Sequence, residues 1–104
     1  MNTEEFLRLM EKQRSCPETL SKGLQAMWYD NKGDWNKAHE ILGDASDADS
    51  AWVHAYLHRK EGDLKNAHYW YQRSGQPAFS GELSQEWEQI TSVLLRKVNA
   101  THEC

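Results

Sequence analysis

The chain has 104 residues, the size of one domain, and its 38% apolar content with five Trp excludes a disordered segment and supports a buried core. Twelve Lys and Arg against sixteen Asp and Glu leave a net charge of −4, without the basic stripe that a nucleic-acid partner requires. The longest aliphatic run, Val93-Leu94-Leu95, falls far short of the ~20 residues of a membrane span, so no membrane partner is expected.

Six helical segments and no convincing strand can be drawn in chain order. The opening residues Met1-Asn2-Thr3-Glu4-Glu5 carry neither a basic nor an apolar leader stretch, and we expect no signal peptide. Thr3 is placed to cap a first helix over about 4–14 with Phe6, Leu7, Leu9 and Met10 on its apolar face. Pro17 suits the first turn of a second helix, whose stripe is Leu20, Leu24, Met27 and Trp28. Gly33 stops it, and Asp34 caps a third helix that carries Trp35, Ala38, Ile41 and Leu42 inward and ends at Gly43. Residues 44–50 form a polar connector. Its Asp spacing resembles a calcium loop, but the turn glycine and the closing Glu are missing.

A fourth helix over about 50–61 is stopped by Gly62, and Asp63 caps a fifth bearing Leu64, Ala67, Trp70 and Tyr71. Gly75-Gln76-Pro77 ends that helix. The last, over about 82–99, sets Leu83, Trp87, Ile90, Leu94 and Val98 on one face. The expected fold is all-α. Cys16 and Cys104 fit no metal or redox spacing and read as free thiols of a reducing cytoplasm.

One phrase occurs twice. Gly33-Asp34-Trp35-Asn36-Lys37-Ala38-His39 returns 29 residues later as Gly62-Asp63-Leu64-Lys65-Asn66-Ala67-His68, the mark of a helical array. Small residues flank each turn, Ala26 and Ala38 in one copy, Ala55 and Ala67 in the other, where paired helices must approach closely. The run Gly62-Asp63-Leu64-Lys65-Asn66-Ala67-His68-Tyr69-Trp70-Tyr71 resembles the second helix of a tetratricopeptide or Sel1-like repeat, and the resemblance extends over about residues 18–77. In the first copy Lys22 and Gly23 stand where an early aromatic is expected. The chain as a whole resembles small bacterial proteins of this architecture. The resemblance implies two stacked antiparallel hairpins, at about 18–43 and 50–75, between terminal capping helices.

It also implies a ligand groove lined by first-helix residues. Those positions are Trp52, Tyr56, Arg59 and Lys60 in the second copy, and Met27, Asp30 and Asn31 in the first. Trp and Tyr offer rigid contact area and Arg forks onto a carboxylate, although aromatic stripes at helical spacing are also usual core. The leading expectation is therefore a cytoplasmic interaction module that binds a protein or peptide, and not an enzyme.

The alternative is a metal-binding protein or small enzyme. His54 and His58, four apart on one helix, project from one face, and His39 is the third ligand a stacked neighbour would supply to a divalent transition metal. Asp47 or Asp49 would add a carboxylate only if their loop folded back. His68, the repeat-mate of His39, is expected to face the final helix, and Glu40 and Glu61 to face solvent. A third reading is a homo-oligomer closed by exposed Trp patches.

Overall fold

The computed structural model describes residues 1–103, with side chains described through Lys97. Among the described residues six helices and no strand occur: α1 (Thr3–Lys12), α2 (Lys22–Asn31), α3 (Trp35–Leu42), α4 (Ala48–Lys60), α5 (Leu64–Ser74) and α6 (Leu83–Glu103). The chain is all-α, as its periodicity predicts. The Val98 side chain and Cys104 lie outside the described residues.

Local side chains set the helix starts, and three differ from expectation. Asn2, one residue before Thr3, caps α1 through a reciprocal box: Glu5 N–H donates to Asn2 Oδ1 at 2.9 Å, and Asn2 N–H to Glu5 Oε1 at 3.0 Å. Pro17 does not open α2. Its carbonyl accepts from Leu20 N–H in an isolated turn at 3.2 Å, and the helix starts only after Ser21, whose hydroxyl accepts from Leu24 N–H at 3.3 Å. α4 begins at Ala48, because Asp47 caps it by accepting from Ser50 N–H at 3.0 Å.

The repeated phrase builds the same turn twice. Gly33 and Gly62 sit at φ +87° and +90°, a left-handed conformation that an L side chain resists. Asp34 N–H reaches back to Tyr29 O at 2.9 Å, and Asp63 N–H to His58 O at the same distance. Their carboxylates then cap the next helices at Lys37 N–H (3.0 Å) and Asn66 N–H (3.2 Å).

Two hairpins follow, α2 with α3 and α4 with α5, their helices packed closely across Ala26, Ala38, Ala55 and Ala67, all buried. α6 lies across α4 and α2 and touches α1. Trp87 Nε1–H donates to Met27 O at 3.1 Å, pinning α6 to α2. Gly23 marks the crossing. A Cβ there would meet Leu94 Cδ1 at 3.0 Å and Val53 Cγ2 at 3.5 Å, so the aromatic expected at this part of the first copy has no room. One continuous core runs from Phe6 and Met10 through Trp28, Leu42 and Leu57 to Leu94 and Leu95. Among the described residues no helix is long and apolar enough to cross a membrane.

Candidate functional site

The first-helix face that a tetratricopeptide-like groove would use is largely interior here, because α6 rests on it. Met27, Asp30, Trp52 and Tyr56 are all buried. Tyr56 O–H donates to Asp30 Oδ2 at 2.8 Å, and Lys60 Nζ to Asp30 Oδ1 at 2.9 Å. One turn away, Arg59 donates to Glu86 Oε1 of α6 at 2.9 Å and to Gly81 O, while Tyr71 O–H donates to Glu86 Oε2. Burial and these neighbouring carboxylates push both tyrosine hydroxyls well above their ordinary pKa. Such bonds spend the polar groups internally. Asn31 and Lys60 are the exposed members of the set, and Asn31 Nδ2 already contacts Met10 Sδ at 3.3 Å. Trp52 keeps one edge on a shallow pocket beside Pro77, Phe79 and Gln89.

The histidines converge. α4 presents His54 and His58 one turn apart, and the first hairpin brings His39 of α3 against them. His39, His54 and His58 each offer a ring nitrogen, and the three atoms lie within 4.8 Å of one another. The Nε2 atoms of His39 and His54 face each other at 3.0 Å. His58 Nδ1–H donates to Glu61 Oε2 at 2.7 Å, an arrangement that in the neutral ring puts the lone pair on Nε2. His54 Nδ1 is buried and has no hydrogen-bond partner among the described residues.

Two tryptophans wall the cluster. Trp35 stacks on His39 with centroids 5.0 Å apart and planes at 8°, and its Nε1–H donates to Leu57 O at 2.8 Å. Trp70 stacks on His54 at 4.0 Å and 5°, and His54 in turn stacks on His58 at 5.2 Å. Aromatic contacts of this kind hold imidazole planes in place. Burial and the neighbouring His39 and His58 push the His54 imidazole down to about 4. His39 is lowered by burial and by His58, with Glu61 acting in the opposite sense. Neutral imidazole is the form with a lone pair to donate.

His68 corrects one expectation. It is exposed, because α6 turns away to α2 and α4 and no third hairpin stacks on α5. Leu64 and Tyr69 on the same helix are 60% and 51% exposed for the same reason. Asp47 and Asp49 do not fold back to the histidines: the first caps α4, and the second pairs with Lys97 at 2.6 Å. Sequence reasoning missed Glu61, Trp35 and Trp70. Glu61 stands three residues after His58, a spacing that places it on the same helix face and was legible; the two tryptophans depend on how the hairpins stack. No protein-family model, curated protein or solved structure matches this chain.

Proposed function

We propose that the protein binds a transition-metal ion through His39, His54 and His58. The observation that carries this reading is the convergence of three imidazole nitrogens within 4.8 Å, drawn from two helices of different hairpins. Imidazole suits zinc, copper, nickel and iron, and a tetrahedral zinc site at ~2.0–2.1 Å per bond separates its nitrogens by about 3.3 Å. The His39–His54 pair, at 3.0 Å, needs to part by only a few tenths of an ångström. Glu61 on His58 supplies the carboxylate–histidine support usual behind metal ligands.

A peptide-binding role would have to use what the interior leaves exposed, chiefly Asn31 and Lys60, without the aromatic anchors that give such grooves their affinity.

The test is metal content and affinity of untagged protein, by elemental mass spectrometry and titration with zinc. One ion per chain is expected. At free metal 100-fold above Kd it would add about 2.7 kcal/mol of stability, removable by chelator. His54→Ala and the half-buried His39→Ala are expected to abolish binding, and the exposed His68→Ala to leave it intact. Stoichiometric binding that survives both cluster variants, or no binding by the wild-type chain, refutes the reading.

A further inference from the structure

Resting on that metal reading, the geometry points to an open site: the fourth coordination position takes an exogenous donor, water at rest and a small monoanion when one is supplied. The first argument is the donor count. Among the described residues no Cys, Asp or Glu joins the three histidines within the same reach. Glu61 and Asp63 group with His58 but not with His39 and His54, and the Glu61 carboxylate is engaged on His58 Nδ1. Asp47 is committed to capping α4 and Asp49 to Lys97 of α6.

The walls add no ligand either. Trp35 has its indole N–H tied to Leu57 O, and an indole nitrogen is a donor without a lone pair to offer. Trp70 lies flat on His54 and presents its ring face. Three protein ligands with one vacant position is the pattern of reactive zinc sites, whereas structural sites close with four.

Access and charge complete the argument. His54 and His58 are 3% and 7% exposed, but His39 is only half-buried, which makes α3 the more solvent-exposed side of the trio. Three neutral imidazoles leave a divalent charge uncompensated between two tryptophans, with Glu61, among the described residues, the carboxylate held against the cluster by a hydrogen bond. In such surroundings, drier than bulk water, a small anion gains more from the ion than it does in solution. The site is thereby suited to polarising a small oxygen- or nitrogen-donor molecule and not to cross-linking the fold.

The experiment loads the full chain with Co(II) and follows its visible absorption while azide is added. A tetrahedral cobalt spectrum that shifts saturably with azide, at one azide per metal, is the expected result. A cobalt spectrum indifferent to azide up to high concentration means a closed site and overturns this inference while leaving the metal reading intact. No cobalt spectrum and no cobalt retained overturns both. His39→Ala separates a genuine ligand exchange from anion binding elsewhere. It is expected to remove the azide response together with the cobalt bands, and an azide effect that persists without them counts against the open position.

Discussion

Arg59 and Glu86 allow the interior polar network to be tested quantitatively. Glu86 is 1% exposed and depends on Arg59, at 2.9 Å, and on the Tyr71 hydroxyl. Arg59→Met keeps an aliphatic stem against Phe79, over whose ring the guanidinium sits at 5.6 Å, and deletes only the charge and its donors. What remains is a buried carboxylate with one neutral partner. Breaking a buried pair this way costs about 3–5 kcal/mol, mostly as the penalty of the orphaned charge. Unfolding entropy of about 2.1 cal/mol/K per residue gives a chain of this size about 0.2 kcal/mol/K, so Tm should fall by about 15–25 °C. Adding Glu86→Gln removes the orphaned charge while keeping an acceptor for Tyr71, and should recover more than half of the loss. The assay is thermal and urea unfolding of both variants by far-ultraviolet circular dichroism. A loss under about 1 kcal/mol for Arg59→Met, or a double variant no more stable than the single, would refute the reasoning.

Two further outcomes follow from burial. Trp52→Ala should cost about 3–5 kcal/mol, since the indole is 6% exposed within the core, and urea unfolding measures it; an unchanged midpoint would restore Trp52 as a surface anchor. Burial pushes the Cys16 thiol up to about 11, so in a Cys104→Ser background its exchange with a small disulfide reagent at pH 8 should run about a hundredfold slower than that of an exposed cysteine. A rate near that of free thiol, timed with a chromogenic disulfide, would contradict the buried position of Cys16.

Local chemistry explains which parts of the fold were legible. The Gly33-Asp34 and Gly62-Asp63 turns were readable because a left-handed residue and a capping carboxylate act within five residues of each other. The stripe of α6 was readable because Leu83, Trp87, Ile90 and Leu94 recur at helical spacing. The start of α2 was not. Pro17 and Ser21 are both acceptable openers, and only the structure shows that Pro17 closes an isolated turn while Ser21 caps the helix. The same limit applies to function. A tetratricopeptide-like pattern predicts which residues line the face of α2 and α4, but not that α6 will cover it.

That covering also leaves the histidines to gather on the other side. With α6 resting on α2 and α4, Asp30, Tyr56, Arg59 and Glu86 bond one another inside the stack. Among the described residues no helix covers the junction of α3 with α4 in this way. There the repeat positions diverge: His39 and its mate His68 occupy equivalent places, yet only His39 has a following hairpin to face, and that hairpin supplies His54 and His58. In the first copy the places of His54 and His58 are held by Gln25 and Tyr29, so the array can assemble the trio between its hairpins and not at its ends. Two hairpins are then sufficient for one three-histidine cluster. A third stacked on α5 would face His68 but bury Leu64 and Tyr69, whose present exposure marks that end as the limit of the stack. The histidines at i and i+4 were visible in the sequence, and the expected stacking of helix three on helix four already named His39 as the third; the stacked indoles depended on how the helices pair in three dimensions.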